Sequence, residues 1–214
     1  MGKSLLQPKW RNRGVSTLKR FNQLEKYFEG KKVLDVGCVV GYRKPNWIHG
    51  LIAKKASSLV GIDIDKPALE EIKSTYPNLD VRYGDARNFD VNDTFDVIHA
   101  GELIEHIDNF EGFFNSIKKH LKPGGIVLIT TPNKETINQF FYNLTGGLQV
   151  NSEHVCWFCD KTLVALVERN GMKVSEVKFL NQPTFGIRKV FRALLGLLPD
   201  RLSHGTLFVS AKLA

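Results

Sequence analysis

Short apolar segments alternate with amphipathic ones from residue 32 to residue 130, and this alternation constrains the fold more than any other feature. The apolar segments predict five strands, at 32–36, 59–64, 81–83, 95–100 and 126–130. The segments between them predict helices, one over 47–55, one from Pro67 through Ser74, and one that ends at Pro123-Gly124-Gly125. Such alternation predicts an α/β fold, with a parallel sheet covered on both faces and a ligand at the carboxyl ends of its strands.

Both ends of the chain depart from this alternation. Residues 1–29 are basic and amphipathic and predict an N-terminal helix that ends near Gly30. Beyond residue 132, a helix begins at Asp160, and two strands follow at 174–180 and 206–213. Two predicted insertions, 133–158 and 181–205, interrupt this part. A length of 214 residues suits one core, so we interpret 1–214 as a single domain.

Composition places the chain among globular proteins, with 43% hydrophobic and 24% charged residues. The sequence contains no apolar run of bilayer-spanning length, and its first residues lack the pattern of a secretory signal, so we expect a cytoplasmic protein. The formal net charge is +8, but the basic residues are spread along the chain rather than gathered in one block. We therefore expect a solvated basic surface and no nucleic-acid partner.

Three cysteines are too few for a disulfide framework. Cys156 and Cys159 have the spacing of a metal or redox pair. A zinc site needs four ligands, however, and only Cys38 remains to contribute. A redox pair would need a thioredoxin-like unit around it, which this chain does not supply. We interpret both as ordinary half-buried thiols.

A glycine turn follows the first strand, in the sequence Val-Leu-Asp-Val-Gly-Cys-Val-Val-Gly. Gly37 and Gly41 allow the chain to turn sharply and leave bare backbone against which a ligand can lie. A helix N-terminus with exposed amides is expected to follow. Asp63 stands at the tip of the second strand, where a carboxylate can accept hydrogen bonds from both hydroxyls of a ribose. Asp85 follows the third strand and suits an adenine edge. The dinucleotide fingerprint Gly-x-Gly-x-x-Gly is not matched, which argues against a dehydrogenase.

These motifs, together with 95–107 and 121–125, resemble the class I S-adenosylmethionine-dependent methyltransferases over about residues 30–180. The resemblance implies a doubly wound, seven-stranded sheet of order 3-2-1-4-5-7-6 with the last strand antiparallel. It implies S-adenosylmethionine as cofactor and S-adenosylhomocysteine as product. The cofactor contacts that it implies come from Asp35, Gly37, Cys38, Gly41, Asp63, Ile64, Asp85, Ala86, Ala100 and Gly101. Val39 replaces the family's middle glycine, which predicts a wider turn and weaker cofactor binding.

The acceptor side of the site is predicted to follow the fourth strand. If helical, Glu102, Glu105 and His106 share one face, because their spacing is i, i+3, i+4. His154 is expected to return over the same cleft. Together with Thr131-Pro132-Asn133 and His-x-x-Trp-Phe, this pattern resembles methyltransferases that act on glycans, lipid-linked intermediates and quinone precursors. The Glu-x-x-Glu-His pattern with a later histidine also resembles metal-dependent small-RNA terminal 2′-O-methyltransferases.

We expect transfer of a methyl group to a hydroxyl of a small molecule or saccharide-containing metabolite, without a metal. The expected catalytic residues are His106, His154 and Glu102, since a neutral imidazole can take a proton near physiological pH. One alternative is a metal-dependent RNA 2′-O-methyltransferase, with Mg²⁺, Mn²⁺ or Zn²⁺ held by Glu102, Glu105, His106 and His154. Another is a cofactor-binding module without turnover.

An amphipathic segment at 187–198 combines apolar residues at helical spacing with interleaved basic ones. We interpret it as a helix that packs over the acceptor cleft or a partner subunit. The alternative is a helix that lies on a membrane surface and brings the enzyme to a lipid-linked acceptor. The sequence does not predict an oligomeric state.

Overall fold

A computed structural model describes residues 13–144, 151–180 and 199–214. One seven-stranded sheet contains β1 (Lys32–Val36), β2 (Ser58–Asp63), β3 (Asp80–Tyr83), β4 (Phe95–Gly101), β5 (Leu121–Pro132), β6 (Met172–Leu180) and β7 (Thr206–Leu213). The helices are α1 (Arg13–Leu24), α2 (Ile48–Ile52), α3 (Lys66–Thr75), α4 (Phe110–His120), α5 (Ile137–Leu144), α6 (Asp160–Arg169) and α7 (Asp200–Ser203). Two short 3-10 turns cover Glu25–Tyr27 and Ile104–His106.

The strand order is β3-β2-β1-β4-β5-β7-β6, as the sequence resemblance implies. The first four pairings along this order are parallel. The last strand, β7, runs antiparallel to both β5 and β6. The predicted fold class and strand order are therefore confirmed, and the carboxyl ends of β1 to β5 share one edge of the sheet.

Both faces of the sheet are covered, which explains why its central strands β1 and β4 are almost continuously buried. One apolar cluster includes Phe113 and Phe114 of α4 and Leu163 of α6. Another, on which α1 packs, includes Phe21 and Leu24. Helix α3 begins where the sequence predicts, because Asp65 caps it by accepting a hydrogen bond from the Ala68 amide and Pro67 lies in its first turn.

Some predicted boundaries are wrong. Helix α2 covers only Ile48–Ile52, whereas 47–55 was predicted. The Pro123-Gly124-Gly125 segment lies inside β5, whereas it was predicted to end the helix before that strand. Leu121 already pairs with Phe95, and the four residues 122–125 then lie opposite Asp96 alone. The predicted insertion 133–158 contains α5, and the predicted amphipathic segment 187–198 lies outside the described residues. Across the described ranges, every helix is too short or too polar to cross a membrane.

Candidate active site

The glycine turn after β1 forms one wall of the candidate site. Gly37 and Gly41 have φ values of +83° and +87°, in the left-handed region that residues with a Cβ rarely adopt. The amides of Gly37 and Cys38 donate to the carbonyl oxygen of Ile62 at 2.8 and 3.2 Å. The turn therefore has the glycine conformation that the sequence predicts, and these bonds fix it to β2.

The sequence predicts a helix N-terminus behind the turn, with the helix starting at Trp47, and α2 begins one residue later, at Ile48. The residues between the glycine turn and α2 form successive turns. The indole of Trp47 donates to the carbonyl oxygen of Cys38 at 2.6 Å, which fixes this segment against the turn. Val39 packs its side chain into the cluster formed by Ala68 and Leu69 of α3. Its effect on cofactor affinity stays a prediction.

Asp35 lies inside the sheet rather than on its surface, with only 3% of its area exposed. The ring nitrogens Nδ1 of His49 and His99 lie 2.9 and 2.7 Å from its two carboxylate oxygens. Burial by itself would raise the pKa of Asp35, but the hydrogen bonds from His49 and His99 outweigh it and lower that pKa to about 2. Asp35 is therefore an ionised group that can act on a ligand only through its charge.

The tip of β2 carries the carboxylate predicted for a ribose. Asp63 accepts hydrogen bonds from the amides of Val39 at 3.0 Å and Asp65 at 3.1 Å, one on each oxygen. Each carboxylate oxygen keeps a second acceptor position, so these bonds orient Asp63 without using up its capacity. Ile64 is 61% exposed beside it and offers an apolar surface for a flat ring.

The next strand tip carries an ion pair that the sequence did not predict. Asp85 is bound by the guanidinium of Arg87, whose Nη2 lies 2.7 Å from Oδ2, and the hydrogen bond lowers the pKa of Asp85. Arg87 also lies 3.3 Å from Asp108. Ala86 is partly buried against the core. The Asp85 carboxylate is therefore largely committed to Arg87, and an adenine contact here stays a prediction.

The end of β4 lies between the residues predicted to bind the cofactor and those predicted to bind the acceptor. Ala100 is fully buried, so its predicted contact with the cofactor stays a prediction. At Gly101 a Cβ would lie 2.6 Å from Cε1 of His99, which explains why this position has no side chain.

Glu102, Glu105 and His106 do not share a helical face, so that prediction is wrong. Glu102 ends the strand with a φ of +54°, and only Ile104–His106 forms a 3-10 turn. The Glu102 side chain instead lies 2.9 Å from Nη1 of Arg20, which reaches over from α1. The Glu102 carboxylate thus pairs with Arg20, whereas that of Glu105 accepts from Thr131.

Glu105 is 2% exposed and accepts a hydrogen bond from the Thr131 hydroxyl at 2.9 Å. Burial, and then the charge of Glu102, raise the pKa of Glu105 to about 8. The backbone carbonyl of Glu105 accepts from the Val155 amide at 2.9 Å. That bond brings the segment around His154 back to the end of β4, as predicted.

The two candidate bases are neighbours, with the ring centroids of His106 and His154 4.7 Å apart. Nδ1 of His106 lies 3.1 Å from the carbonyl oxygen of Glu153, to which it donates, so Nε2 is the ring nitrogen that can carry a lone pair. Burial, and then His106 and Lys134, lower the pKa of His154. His154 therefore offers unprotonated imidazole nitrogen near neutral pH.

Five buried polar atoms have no hydrogen-bond partner within the described part of the chain and lie on this side of the sheet. They are Arg20 Nε, Glu102 Oε1, Thr130 Oγ1, Glu135 Oε2 and His154 Nδ1. Two of them nevertheless face an arginine nitrogen in an ion pair that is not aligned as a hydrogen bond, Glu102 Oε1 at 2.9 Å from Arg20 Nη1 and Glu135 Oε2 at 3.2 Å from Arg201 Nε. Unpaired buried polar atoms are rare in native proteins, so this side suits a polar ligand.

A metal ion could be held by Glu105, His106 and His154, whose ligand atoms all lie within 4.8 Å of one another. Glu102, the fourth ligand of the alternative predicted from the sequence, does not belong to this group because it pairs with Arg20. One carboxylate and two imidazoles form a donor set that suits Zn²⁺ or Mn²⁺.

Sequence reasoning missed several residues of the site. Arg20 and the histidine pair around Asp35 lie far along the chain from the groups they contact. Only strand register could have found His99, because Asp35 and His99 are paired residues of neighbouring strands. Cys156 and Cys159 are free and half-buried, as predicted.

Known proteins resemble this chain in sequence and in fold. A methyltransferase domain model matches residues 9–177. The mitochondrial ubiquinone biosynthesis O-methyltransferase of Rattus norvegicus is 31% identical over 171 residues, which cover 71% of this chain and 47% of that protein. Its Dictyostelium discoideum counterpart is 26% identical over 181 residues, 74% of this chain and 55% of that protein. The chain thus spans about half the length of these curated relatives.

Solved structures share the fold. The magnesium protoporphyrin IX methyltransferase of Synechocystis, with bound S-adenosylhomocysteine, aligns with a TM-score of 0.69 at 11% identity over 100% of this chain and 90% of that one. A methyltransferase from Archaeoglobus fulgidus gives a TM-score of 0.66 at 18% identity, covering 94% of each chain. With the strand order and the match over residues 9–177, these likenesses place the chain in the methyltransferase domain family, whose cofactor is S-adenosylmethionine.

Proposed function

We propose that this chain transfers the methyl group of S-adenosylmethionine to a hydroxyl of a small molecule or saccharide-containing metabolite. The observation that carries the proposal is the histidine pair at the end of β4, in which His106 is oriented by the Glu153 carbonyl and keeps Nε2 free. The names of the relatives, ubiquinone biosynthesis O-methyltransferases, support an oxygen acceptor.

The residues at the sheet edge suit the cofactor. The glycine turn leaves bare backbone, Asp63 keeps free acceptor positions for ribose hydroxyls, and Ile64 offers an exposed apolar surface. When bound, the cofactor supplies a methyl group already activated by its sulfonium. The protein has to align the acceptor oxygen with that group and remove the acceptor's proton.

His106 is the proposed base. Its Nε2 can take the proton of the acceptor hydroxyl, while the hydrogen bond from Nδ1 to Glu153 holds the ring in position. His154 lies beside His106, and the lowered pKa of His154 keeps that ring neutral. Two positive charges therefore do not lie next to each other when His106 takes the proton. Glu102, with Arg20, would bind polar groups of the acceptor.

His106→Ala should lower kcat by about 10²-fold or more while S-adenosylmethionine still binds, because only the base is lost. The measurement needs an acceptor, which mass spectrometry of metabolite extracts incubated with methyl-deuterated cofactor would identify. Glu153→Ala is the matched control, since it keeps the backbone carbonyl that orients His106, and its rate should stay within about twofold. Cofactor binding without formation of S-adenosylhomocysteine in any extract would instead favour a module without turnover.

A second candidate is metal-dependent catalysis, which the grouping of Glu105, His106 and His154 within 4.8 Å favours. A bound divalent ion would lower the pKa of an acceptor hydroxyl and bind an adjacent one. Activity that survives exhaustive chelation supports the metal-free base. Activity that chelation abolishes and Mn²⁺ restores would replace it with the metal-dependent mechanism, and the RNA 2′-hydroxyl would then become an acceptor to test.

A further inference from the structure

A cavity of about 450 Å³ lies between α2 and residues 75–79, where the chain passes from α3 to β3. Cavities of this size hold small organic ligands in other proteins. Gly50 and Ala53 line it from α2 and contribute almost no side-chain volume, so the space beside this helix stays open. The described residues that line it include none of those predicted to bind the cofactor or the acceptor. We call this space the α2 cavity.

Two aromatic rings form a wall of the α2 cavity. The ring centroids of Trp47 and Tyr76 lie 5.7 Å apart, with an angle of 42° between the ring planes. A Cβ on Gly50 would lie 3.1 Å from Cε3 of Trp47, so glycine lets the indole approach α2 closely. The indole N–H donates to the carbonyl oxygen of Cys38 at 2.6 Å, which fixes the ring in place. The α2 cavity therefore offers an ordered aromatic surface for a flat ring.

Two lysines give the α2 cavity a positive charge. Lys44 and Lys54 line it, and no aspartate or glutamate does so within the described part of the chain. Lys55, the neighbour of Lys54, pairs with Glu25 at 3.4 Å. The ammonium groups of Lys44 and Lys54, in contrast, have no ion pair among residues 13–144, 151–180 and 199–214. Uncompensated positive charge beside an apolar surface favours an anionic ligand.

The rest of the chain cannot supply this anion from its side chains. Residues 1–12, 145–150 and 181–198, which lie outside the described ranges, contain no aspartate or glutamate. Two of these segments carry lysines and arginines, which Lys44 and Lys54 would repel. Charge complementarity therefore indicates an occupant from outside the chain.

We propose that the α2 cavity is a second binding site, for a small aromatic anion. The ring lies against Trp47 and Tyr76, and the charged group is turned towards Lys44 and Lys54. The aromatic surface provides most of the contact area, and the two ammonium groups select ligands that carry a negative charge. This site goes beyond the proposed methyl transfer and does not depend on the identity of the acceptor.

Isothermal titration calorimetry of the whole protein with 2-naphthoate tests the proposal. Saturating S-adenosylhomocysteine is present, so the cofactor site is not available to the probe. 2-Naphthamide has the same ring and nearly the same shape without the charge, and it should bind at least about fivefold more weakly. Equal affinities for the two compounds overturn the proposal. So does a wild-type protein that does not bind 2-naphthoate at millimolar concentration.

A pair of double variants shows where the probe binds. Lys44→Gln with Lys54→Gln should weaken binding of 2-naphthoate about tenfold and leave binding of 2-naphthamide within about twofold. Lys55→Gln with Lys73→Gln is the matched control, because it removes two exposed charges that do not line the α2 cavity. Its affinity for 2-naphthoate should stay within about twofold of the wild type. Affinity for 2-naphthoate that Lys44→Gln with Lys54→Gln leaves unchanged would place the probe elsewhere and overturn the proposal.

Discussion

Asp63 shows how one side chain can hold the fold and still keep acceptor positions that suit a cofactor. Its two oxygens hold the amides of Val39 and Asp65, and each retains an acceptor position. Asp63→Ala should therefore weaken S-adenosylmethionine binding by about 1.5–3 kcal/mol, the range for loss of a charged hydrogen-bond partner. Isothermal calorimetry measures the effect, and unchanged affinity would rule out the assignment to the ribose.

Asp65 is the control for Asp63, because its substitution should affect the stability of the fold rather than cofactor binding. It caps α3 by accepting from the Ala68 amide at 3.1 Å, and it lies past the strand tip. Asp65→Ala should lower the free energy of unfolding by about 1 kcal/mol while cofactor affinity stays nearly unchanged. The pair of variants thus separates binding from helix stability.

Pairings over long sequence distances limit what could be predicted at the scale of residues. The positions of the turn glycines and of Asp63 at strand ends were predicted from the sequence because they follow from local backbone geometry. His49 and His99, the partners of Asp35, lie 14 and 64 residues from it along the chain. The arrangement of Glu102, Glu105 and His106 was mispredicted because helical spacing was assumed where a positive φ at Glu102 reverses the chain.

Helix α4 supports the site by fixing the segment after β3. Its N-cap Asn109 accepts from the Gly112 amide at 3.0 Å, and a Cβ on Gly112 would overlap the backbone carbonyl oxygen of Arg87 and approach Nδ2 of Asn109 to 2.8 Å. Glycine to alanine in a helix usually stabilises by about 1 kcal/mol. Here Gly112→Ala should instead lower the melting temperature, because the packed backbone of Arg87 cannot move away from the new Cβ without strain.

Asn115→Ala, on the exposed face of α4, separates this clash from helix propensity. It should leave the melting temperature unchanged or slightly raised, since alanine is the better helix former. Thermal unfolding followed by circular dichroism measures both variants. A melting temperature of Gly112→Ala equal to or above that of the wild type would show that Arg87 is not held by α4.

Strands and helix starts were predictable at the scale of elements because they follow from burial and caps. The apolar strands and the Asp65 cap are local signals. The start of β5 could not be predicted in this way. Residues 122–125 form a bulge opposite Asp96, and their proline and glycines resemble those of a turn. A Cβ on Gly125 would lie 3.0 Å from the carbonyl oxygen of Lys122, so glycine here reflects close backbone packing inside a strand.

The stability of the whole molecule should respond to pH through Glu105. Its pKa is raised from an ordinary value of 4.5 to about 8 by burial and by Glu102, so folding favours its protonated form. That contribution is fully present below about pH 4.5 and is lost as pH rises through about 8. Glu105→Gln keeps an acceptor for the Thr131 hydroxyl and cannot ionise. In the presence of a chelator, Glu105→Gln should raise the melting temperature by about 5 °C or more at pH 9 and by little at pH 5.

Glu111→Gln, an exposed substitution in the first turn of α4, should give the same small change at both pH values. Differential scanning calorimetry at pH 5 and pH 9 compares the two variants with the wild type. A metal ion bound by Glu105, His106 and His154 would reverse the result, because it stabilises the ionised carboxylate. The wild type would then be the more stable protein at pH 9 when Mn²⁺ is added, and Glu105→Gln would lose that gain. The same variant thus reports on whether the buried carboxyl serves as a neutral acid or as a metal ligand.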